Sequence, residues 1–432
     1  MSAGKVYIVD GARTPFLKAR TEPGPFSASD LAVACARPVL ARQPFPASQI
    51  DEVIVGCVIP AADEANIARL VALRLGCGKR VPAHTVQRNC ASGLQSVATA
   101  AERIVLGRAH IVLAGGTEAM SRAPIQWNNA MSGWLGKMLR ARNPLDRLAT
   151  LARFRPSLLK PVYALLLGLT DPLVKLSMGQ TAEIVAHRFG ITRESQDVYA
   201  LNSHKRLAAA FDAGVMNAEV ETLYDTKENF FTEDTGLRRD TDLDQLGKLR
   251  PVFDRQYGQV TSGNSSQVTD GAAMLLLASE EAVKQHGLSV LGEWVDHEWA
   301  GVDPSQMGLG PVHATAKLLA RRQIKMRDLQ QMELNEAFAA QVLGCQAAWD
   351  SAQYAREELG LDKPLGAMDP ERLNPEGGAI SNGHPVGASG ARLVLHLLHA
   401  LRRQGGGQGV ATLCIGGGQG GAMLLRAEGG KS

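Results

Sequence analysis

Cys90 stands in "QRNCASGLQS", after a polar turn and just before a run of helical spacing. A helix N-terminus presents free N–H groups and a partial positive charge. Both favour a thiolate and lower a thiol pKa. A thiolate nucleophile also needs a base. His384, in the glycine-rich "GGAISNGHPVGASGAR", is the candidate, in a loop where backbone and substrate can approach closely. Cys414 ends the apolar run "GVATLC" ahead of "IGGGQGG" and offers a second thiol for acid/base work. Asn335, in "LNEAFAAQ", follows another apolar run and can orient a water or donate to an oxygen. Each residue alone has a plainer reading. A cysteine at such a junction is more often structural, and a lone loop histidine is more often an ordinary polar residue. The chemistry depends on their meeting.

The elements that must bring them together repeat. Ala91-Ser92-Gly93 opens a helical pattern with Leu94, Val97, Ala98, Ala101, Ile104 and Val105 on one face, and Gly107 ends it. The strand-like "HIVLA" and then "GGTEAM" follow. Late in the chain Ala388-Ser389-Gly390 opens another helix with Leu393, Leu397 and Leu401 on its apolar face. Gly405, "GVATLC" and "GGGQGGAM" follow in the same order. Upstream of each copy lies a strand-like run, "IDEVIVGC" and "LQQMELNE". Helix period alternating with short apolar strands indicates α/β layers. Any two α/β segments look somewhat alike, but the matched Ala-Ser-Gly and Gly-Gly punctuation favours duplication. A duplicated fold would set the two strand-to-helix junctions face to face, so that Cys90, His384 and Cys414 converge.

Between the copies, residues 121–177 carry nine basic side chains against two acidic ones, Asp146 and Asp171. That segment is therefore +7, and with the whole chain at +3 the remainder is −4. Trp127, Trp134, Phe154, Tyr163 and "ALLLGL" interleave with the basic residues. The segment reads as inserted amphipathic helices suited to an anionic ligand, a membrane surface or a partner. The plainer alternative is a solvated helical face over an apolar underside. The 432 residues suffice for two or three domains or a duplicated one, and 45% hydrophobic with 21% charged residues is ordinary for a globular protein. A net charge of +3 is too small to imply nucleic acid. The six cysteines show no metal-like spacing and read as reduced thiols, so no metal is expected. No secretory h-region precedes "KVYIVD", "EGGKS" is no peroxisomal address, and no apolar run is long enough to span a bilayer. A cytoplasmic protein, in contact with a membrane at most peripherally, is the expectation.

Taken in order, the motifs resemble the thiolase family over nearly the whole chain. "NCASGLQS", "MGQTAE", "KLRPVF", "VTSGNSSQVTDGAA", "DPSQMGLGP", "NEAF", "GGAISNGHPVGASGAR" and "CIGGGQGG" all stand in the family's sequence. The resemblance implies a duplicated α/β fold layered α-β-α-β-α. Residues 1–121 with 266–288 would form the N-terminal half and 289–432 the C-terminal half. Residues 122–265 would form a loop domain that includes the basic insert 121–177. It implies cleavage of 3-ketoacyl-CoA by coenzyme A, or the reverse Claisen condensation, through an acyl group on Cys90. His384 would activate Cys90, Cys414 would be the second acid/base, and Asn335 would share an oxyanion hole with His384. Backbone N–H groups of Cys90 and Gly416 would form another. Ser266 would contact the pantetheine arm, and Met178, Met307 and Phe338 would shape the acyl pocket. Coenzyme A and acyl-CoA would be substrates, with no bound cofactor. A homodimer or homotetramer is implied. The long basic insert resembles that of fatty-acid-oxidation thiolases that pair with a hydratase/dehydrogenase α-subunit. Many of those carry histidine before "EAF", where this chain has Asn335, which counts against such a complex. Ser177 stands before "MGQTAE", where some acetoacetyl-CoA-specific thiolases have histidine, and this favours a broader chain-length range. The alternatives are a biosynthetic acetoacetyl-CoA thiolase, a decarboxylating ketoacyl synthase of the same fold and a non-catalytic acyl-CoA-binding subunit. Cys414 argues against the synthase, and the complete set Cys90, His384 and Cys414 against the non-catalytic subunit.

Overall fold

A computed structural model of the protein describes residues 4–430. The first three residues of the N-terminal stretch and the last two of "EGGKS" lie outside the described residues. In chain order the framework is β1 (Val6–Arg13), α1 (Ala28–Ala41), β2 (Glu52–Gly56), α2 (Ile67–Arg74), β3 (Ala83–Val86), α3 (Ser92–Val105) and β4 (Ile111–Ala119). Then come α4 (Asn129–Arg140), α5 (Pro144–Leu151), α6 (Ala164–Gly168), α7 (Met178–Arg188), α8 (Arg193–Asp212) and β5 (Thr269–Ser279). The last third holds β6 (Gly292–Gly301), α9 (Gly310–Arg322), β7 (Gln331–Leu334), α10 (Ala339–Asp350), α11 (Val386–Arg403), β8 (Gly406–Ile415) and β9 (Gln419–Glu428).

The strands run β7-β8-β9-β6-β1-β5-β4-β2-β3 in one hydrogen-bonded path. The path is a repeat about its middle. β1, β5, β4 and β2 match β6, β9, β8 and β7, with antiparallel, antiparallel and parallel pairings in the same order. Even the irregularities correspond. The β1–β5 register slips between Ile8 and Asp10, and the β6–β9 register between Trp294 and Asp296. The halves join where β1 pairs antiparallel with β6, from Val6 opposite Trp294 to Ile8 opposite Gly292. The duplication expected from Ala-Ser-Gly and Gly-Gly punctuation is thus present in the strand order.

Because strand side chains alternate between faces, "AAMLLLAS" can be apolar throughout only if both faces are covered. Leu275 and Leu277 pack with Leu94 and Val97 of α3 and with Leu393 and Leu397 of α11, while Met274 and Leu276 pack with Leu31 of α1 and Val71 of α2. On the other half, Leu425 joins the α3/α11 cluster and Leu424 joins Val312 of α9 and Trp349 of α10. Five layers result: α1 and α2, a sheet half, α3 and α11, the second sheet half, α9 and α10.

The central pair approaches closely. A Cβ on Gly93 would lie 2.8 Å from the Gly387 carbonyl and 2.9 Å from the Ala391 amide nitrogen, and one on Gly390 would strike the Leu94 backbone. Both glycines are the third residue of an Ala-Ser-Gly triplet, so the repeated triplet marks where the two helices cross. The residues between β4 and β5 contribute helices and short ribbons over this crossing. Arg13 of β1 reaches into them, with buried ion pairs to Glu219 (2.7 Å) and Asp234 (2.7 Å). Removing one partner of such a pair costs about 3–5 kcal/mol, because it strands a buried charge. Within the insert, α4 and α5 are tied by Trp134, which stacks edge-on against Phe154 at 5.4 Å and donates to the Thr150 carbonyl at 2.8 Å. The insert also contains a two-stranded ribbon, Ile125–Trp127 with Pro161–Tyr163, where helices alone were expected. Its strands are three residues each and too short for period-two patterning to show.

Candidate active site

A tight turn positions Cys90. Asn89 sits at φ 44°, a left-handed conformation that asparagine tolerates better than most residues. It turns the chain so that Cys90 precedes the first residue of α3. Ser92 Oγ donates to the Asn89 carbonyl at 2.7 Å and accepts from the Arg88 N–H at 2.9 Å, bracing the turn. Asn89 Nδ2 donates to the Gly416 carbonyl at 2.7 Å, which ties this turn to the loop after β8. The N–H groups of Gly416 and of Cys90 itself lie close enough to the Cys90 sulfur to favour its charged form.

His384 is held by the corresponding device in the other half. Ser389 Oγ lies 3.0 Å from the Pro385 carbonyl and 2.6 Å from His384 Nδ1. The hydroxyl has one proton, which it gives to the carbonyl, so it accepts from Nδ1–H. That fixes the tautomer and leaves Nε2 with a free lone pair. Asn335 Nδ2 lies 3.5 Å from Nε2, at the edge of hydrogen-bonding distance. Asn335 Oδ1 is buried without a protein partner. Gly383, at φ 103° and against the Thr269 side chain, leaves no room for another residue before His384. Glu336, buried, accepts from Tyr199 (2.9 Å), Ser203 (2.7 Å) and the Ile380 N–H (3.2 Å), and so locks the Asn335 turn onto α8 and the "GGAISN" loop.

Cys414, fully buried near the end of β8, packs with Met307, Ala337, Phe338 and Ala340. Two neighbouring cavities lie at the site, and Phe338 of this cluster borders one of them. One, of about 290 Å³, is lined by Ser266, Gln267, Phe338, His384 and Met178. The other, of about 210 Å³, is lined by Cys90, Gly416, Val58, Ile59, Leu165 and Met178. Met120, Leu169, Met178 and Val386 border both. Met178 and Phe338 thus face open space, whereas Met307 and Cys414 border neither cavity and pack together in one cluster. Among the described residues no group of three or more His, Cys, Asp or Glu is placed to share a metal ion.

The electrostatics correct one expectation. Cys90 was expected to be a depressed-pKa thiolate at a helix N-terminus. Instead, burial pushes its thiol up, and the two N–H groups close to the sulfur only partly offset this. Burial also holds the Cys414 thiol well above the ordinary range, with the nearby Cys90 adding to the shift. His384 is pushed down to about 4 by burial and by Arg392. At rest the thiol and the imidazole are therefore both neutral. Desolvation outweighs a helix end whose partial charge is a fraction of a unit. Ser389, read from the sequence only as a helix opening, and Glu118, read only as part of "GGTEAM", hold elements of the site in place. Their partners lie in other parts of the chain or in hydroxyl geometry that no spacing encodes.

Because His384 of the free protein stays neutral well below its ordinary value, the acid limb of kcat/KM against pH should contain no group near 6.5. Ser389→Ala should remove the Nδ1 acceptor, free the tautomer and lower kcat by roughly tenfold or more with less change in KM. Steady-state pH profiles of both proteins check this. An acid limb near 6.5 in the wild type, or an unchanged kcat in the variant, would contradict the assignment.

Two family models match the chain: the thiolase N-terminal domain over residues 6–281 and the thiolase C-terminal domain over residues 288–427. A 3-ketoacyl-CoA thiolase of Yersinia enterocolitica serotype O:8 / biotype 1B is 38% identical over 426 residues, covering 98% of this chain and 97% of that protein. The crystal structure of human mitochondrial 3-ketoacyl-CoA thiolase superposes with a TM-score of 0.84 at 37% identity, covering 99% of both chains. The same human enzyme in complex with CoA gives 0.83 at 38% identity and 98% coverage of both. The Bacillus anthracis acetyl-CoA acetyltransferase gives 0.83 at 34% identity, covering 98% of this chain and 99% of that one. Motif order, duplicated fold and full-length similarity agree, and the chain belongs to the thiolase family.

Proposed function

We propose that the protein is a 3-ketoacyl-CoA thiolase acting in the degradative direction, with coenzyme A and acyl-CoA as its substrates. The observation that carries this reading is that Cys90 and His384 line two cavities sharing Met120, Leu169, Met178 and Val386, with Cys414 close enough to Cys90 to feel its charge. As the 3-keto carbon approaches, His384 Nε2 takes the Cys90 proton and the sulfur attacks. Thiolate and imidazolium form together as an ion pair, which suits a site where neither charge is stable alone. The alkoxide on C3 lies against the Cys90 and Gly416 N–H groups. The C2–C3 bond then breaks, leaving the acyl group on Cys90 and expelling the enolate of acetyl-CoA. Asn335 Nδ2 and protonated His384 face the enolate oxygen, and Cys414 delivers the proton to C2. Coenzyme A enters, gives its thiol proton to the Cys414 thiolate, attacks the Cys90 thioester and leaves as the shortened acyl-CoA, while protonated His384 returns its proton to the released Cys90 sulfur. Thiol-for-thiol exchange is nearly balanced, so a covalent acyl-cysteine suits it. Ser266 borders the cavity that His384 lines, which fits the pantetheine arm. Similarity to 3-ketoacyl-CoA thiolases along the whole chain supports degradation over acetoacetyl-CoA synthesis.

Cys414→Ala should leave acyl exchange between Cys90 and coenzyme A largely intact while carbon–carbon cleavage falls by at least about a hundredfold. Isotope exchange from labelled coenzyme A into acetyl-CoA, compared with thiolysis of acetoacetyl-CoA, separates the two. Equal loss of both would leave Cys414 a structural residue.

We further propose a homodimer or homotetramer, located in the cytoplasm, whose basic insert rests on an anionic lipid surface. β3 is an open sheet edge and only half-buried, which favours pairing with a second copy. On the insert, Leu139, Leu145, Leu148, Leu151, Leu166 and Leu167 are exposed beside Arg140, Arg142, Arg147, Arg153 and Arg155. None of these arginines makes an ion pair among the described residues. Exposed leucines beside unpaired cations match a membrane interface, where each basic residue contributes about 1 kcal/mol. No helix of the described residues is long and apolar enough to cross a membrane. Replacing the five arginines by glutamine should weaken binding to phosphatidylserine vesicles in flotation assays by at least about tenfold at low salt. Turnover of acetoacetyl-CoA should barely change. Capture of a hydratase/dehydrogenase α-subunit without vesicle binding would replace the lipid by that partner. A large loss of turnover would place the arginines at the CoA phosphates.

A further inference from the structure

Glu118, near the end of β4, is fully buried and plays no part in the chemistry described above. Its carboxylate receives four donors from two distant segments. Oε1 accepts from the Ile59 N–H at 2.9 Å and faces the Cys57 thiol at 3.5 Å. Oε2 accepts from the Val58 N–H at 2.9 Å and from the Gly387 N–H at 3.1 Å. Val58 and Ile59 form one wall of the cavity that holds Cys90. Gly387 lies in the first turn of α11, three residues after His384. A Cβ on Gly387 would approach Glu118 Oε2 to 2.8 Å, so this position must be glycine for the carboxylate to reach the helix.

Ser266 and Gln267 border the cavity that His384 lines. The cavity around Cys90 is walled largely by Val58, Ile59, Ala164 and Leu165, with Leu169 and Val386 shared between the two, which suits an alkyl chain. A chain attached to the Cys90 sulfur would lie along the Val58–Ile59 wall.

We infer that Glu118 is a positioning residue for acyl-chain selectivity, clamping the Val58–Ile59 wall to the first turn of α11 so that the wall and His384 keep one spacing about Cys90. This rests on the acyl-CoA reading above. Only an ionised carboxylate can accept from four donors at once. Glutamine keeps the shape but turns one of the two oxygens into a donor. It then faces donors on that side and releases either Ile59 or the Val58–Gly387 link. A short acyl group never reaches the wall, so the damage should grow with chain length.

The test compares thiolysis of acetoacetyl-CoA and 3-ketodecanoyl-CoA by the wild type and by Glu118→Gln. The ratio of kcat/KM for the long substrate over the short one should fall by about tenfold or more, mainly through KM. A purely structural role would lower both substrates alike and leave the ratio unchanged, which would overturn the inference. Hydrogen exchange on the wild type provides a second readout that survives misfolding of the variant. The Val58, Ile59 and Gly387 amides should exchange slowly. Exchange of Val58 and Ile59 as fast as that of open loops would equally overturn the clamp. If the wild type cleaves neither substrate, the functional reading itself fails, an outcome distinct from an unchanged ratio.

Discussion

Everything in the site depends on how closely α3 and α11 cross. Gly93 and Gly390 let the two backbones touch, and no side chain larger than hydrogen fits at the contact. The approach brings the N-terminal ends of both helices, and the turn ahead of each, to one place. One turn carries Cys90 and the other His384. The serine that precedes each glycine then does equivalent work. Ser92 braces the turn of the nucleophile, and Ser389 fixes the tautomer of the base. A duplicated helix–strand unit thus provides two different catalytic groups from one structural plan. The third group, Cys414, comes from β8, the strand that follows α11 as β4 follows α3.

Burial sets the electrostatics of this meeting point. A helix terminus favours a thiolate, but the surrounding apolar layers disfavour every isolated charge more strongly, so thiol and imidazole rest neutral. Charge appears in pairs, when sulfur attacks carbon and its proton moves to His384. Around the site, ionised groups persist only where several partners converge. Glu118 has four donors, and although burial pushes its carboxyl up to about 7, the three N–H groups and the Cys57 thiol pull against that shift. Arg13 has Glu219 and Asp234, which fasten the residues between β4 and β5 onto the first strand of the framework. The cover over the cavities is therefore anchored by charge, while the layers beneath it are held by apolar packing.

Much of this was legible in the sequence, for a physical reason. Duplication leaves paired signals, and the two Ala-Ser-Gly triplets mark a contact that tolerates only glycine. Cys90, His384 and Asn335 sit in turns whose glycine and asparagine punctuation reads locally. The parts that stayed hidden depend on distant partners. Glu118 looks like one more residue in "GGTEAM" until Val58, Ile59 and Gly387 surround it. Ser389 reads as helix opening until its hydroxyl meets Nδ1. The lowered thiol pKa expected for Cys90 followed from its local position, and failed because layers contributed by the whole chain desolvate the sulfur. Met307, expected at the acyl pocket, borders neither cavity and packs in the apolar cluster that holds Cys414, since a methionine's apolar character does not distinguish a pocket wall from the packing around it.

The central claim is that carbon–carbon cleavage proceeds through an acyl group held on Cys90. Rapid quenching after mixing the protein with 3-ketodecanoyl-CoA in the absence of free coenzyme A, followed by peptide mass spectrometry, tests it most directly. The account predicts an octanoyl adduct, two carbons shorter than the substrate chain, on the peptide containing Cys90, with one acetyl-CoA released per adduct. No adduct, an adduct on Cys414, or an adduct bearing the uncleaved chain would contradict it.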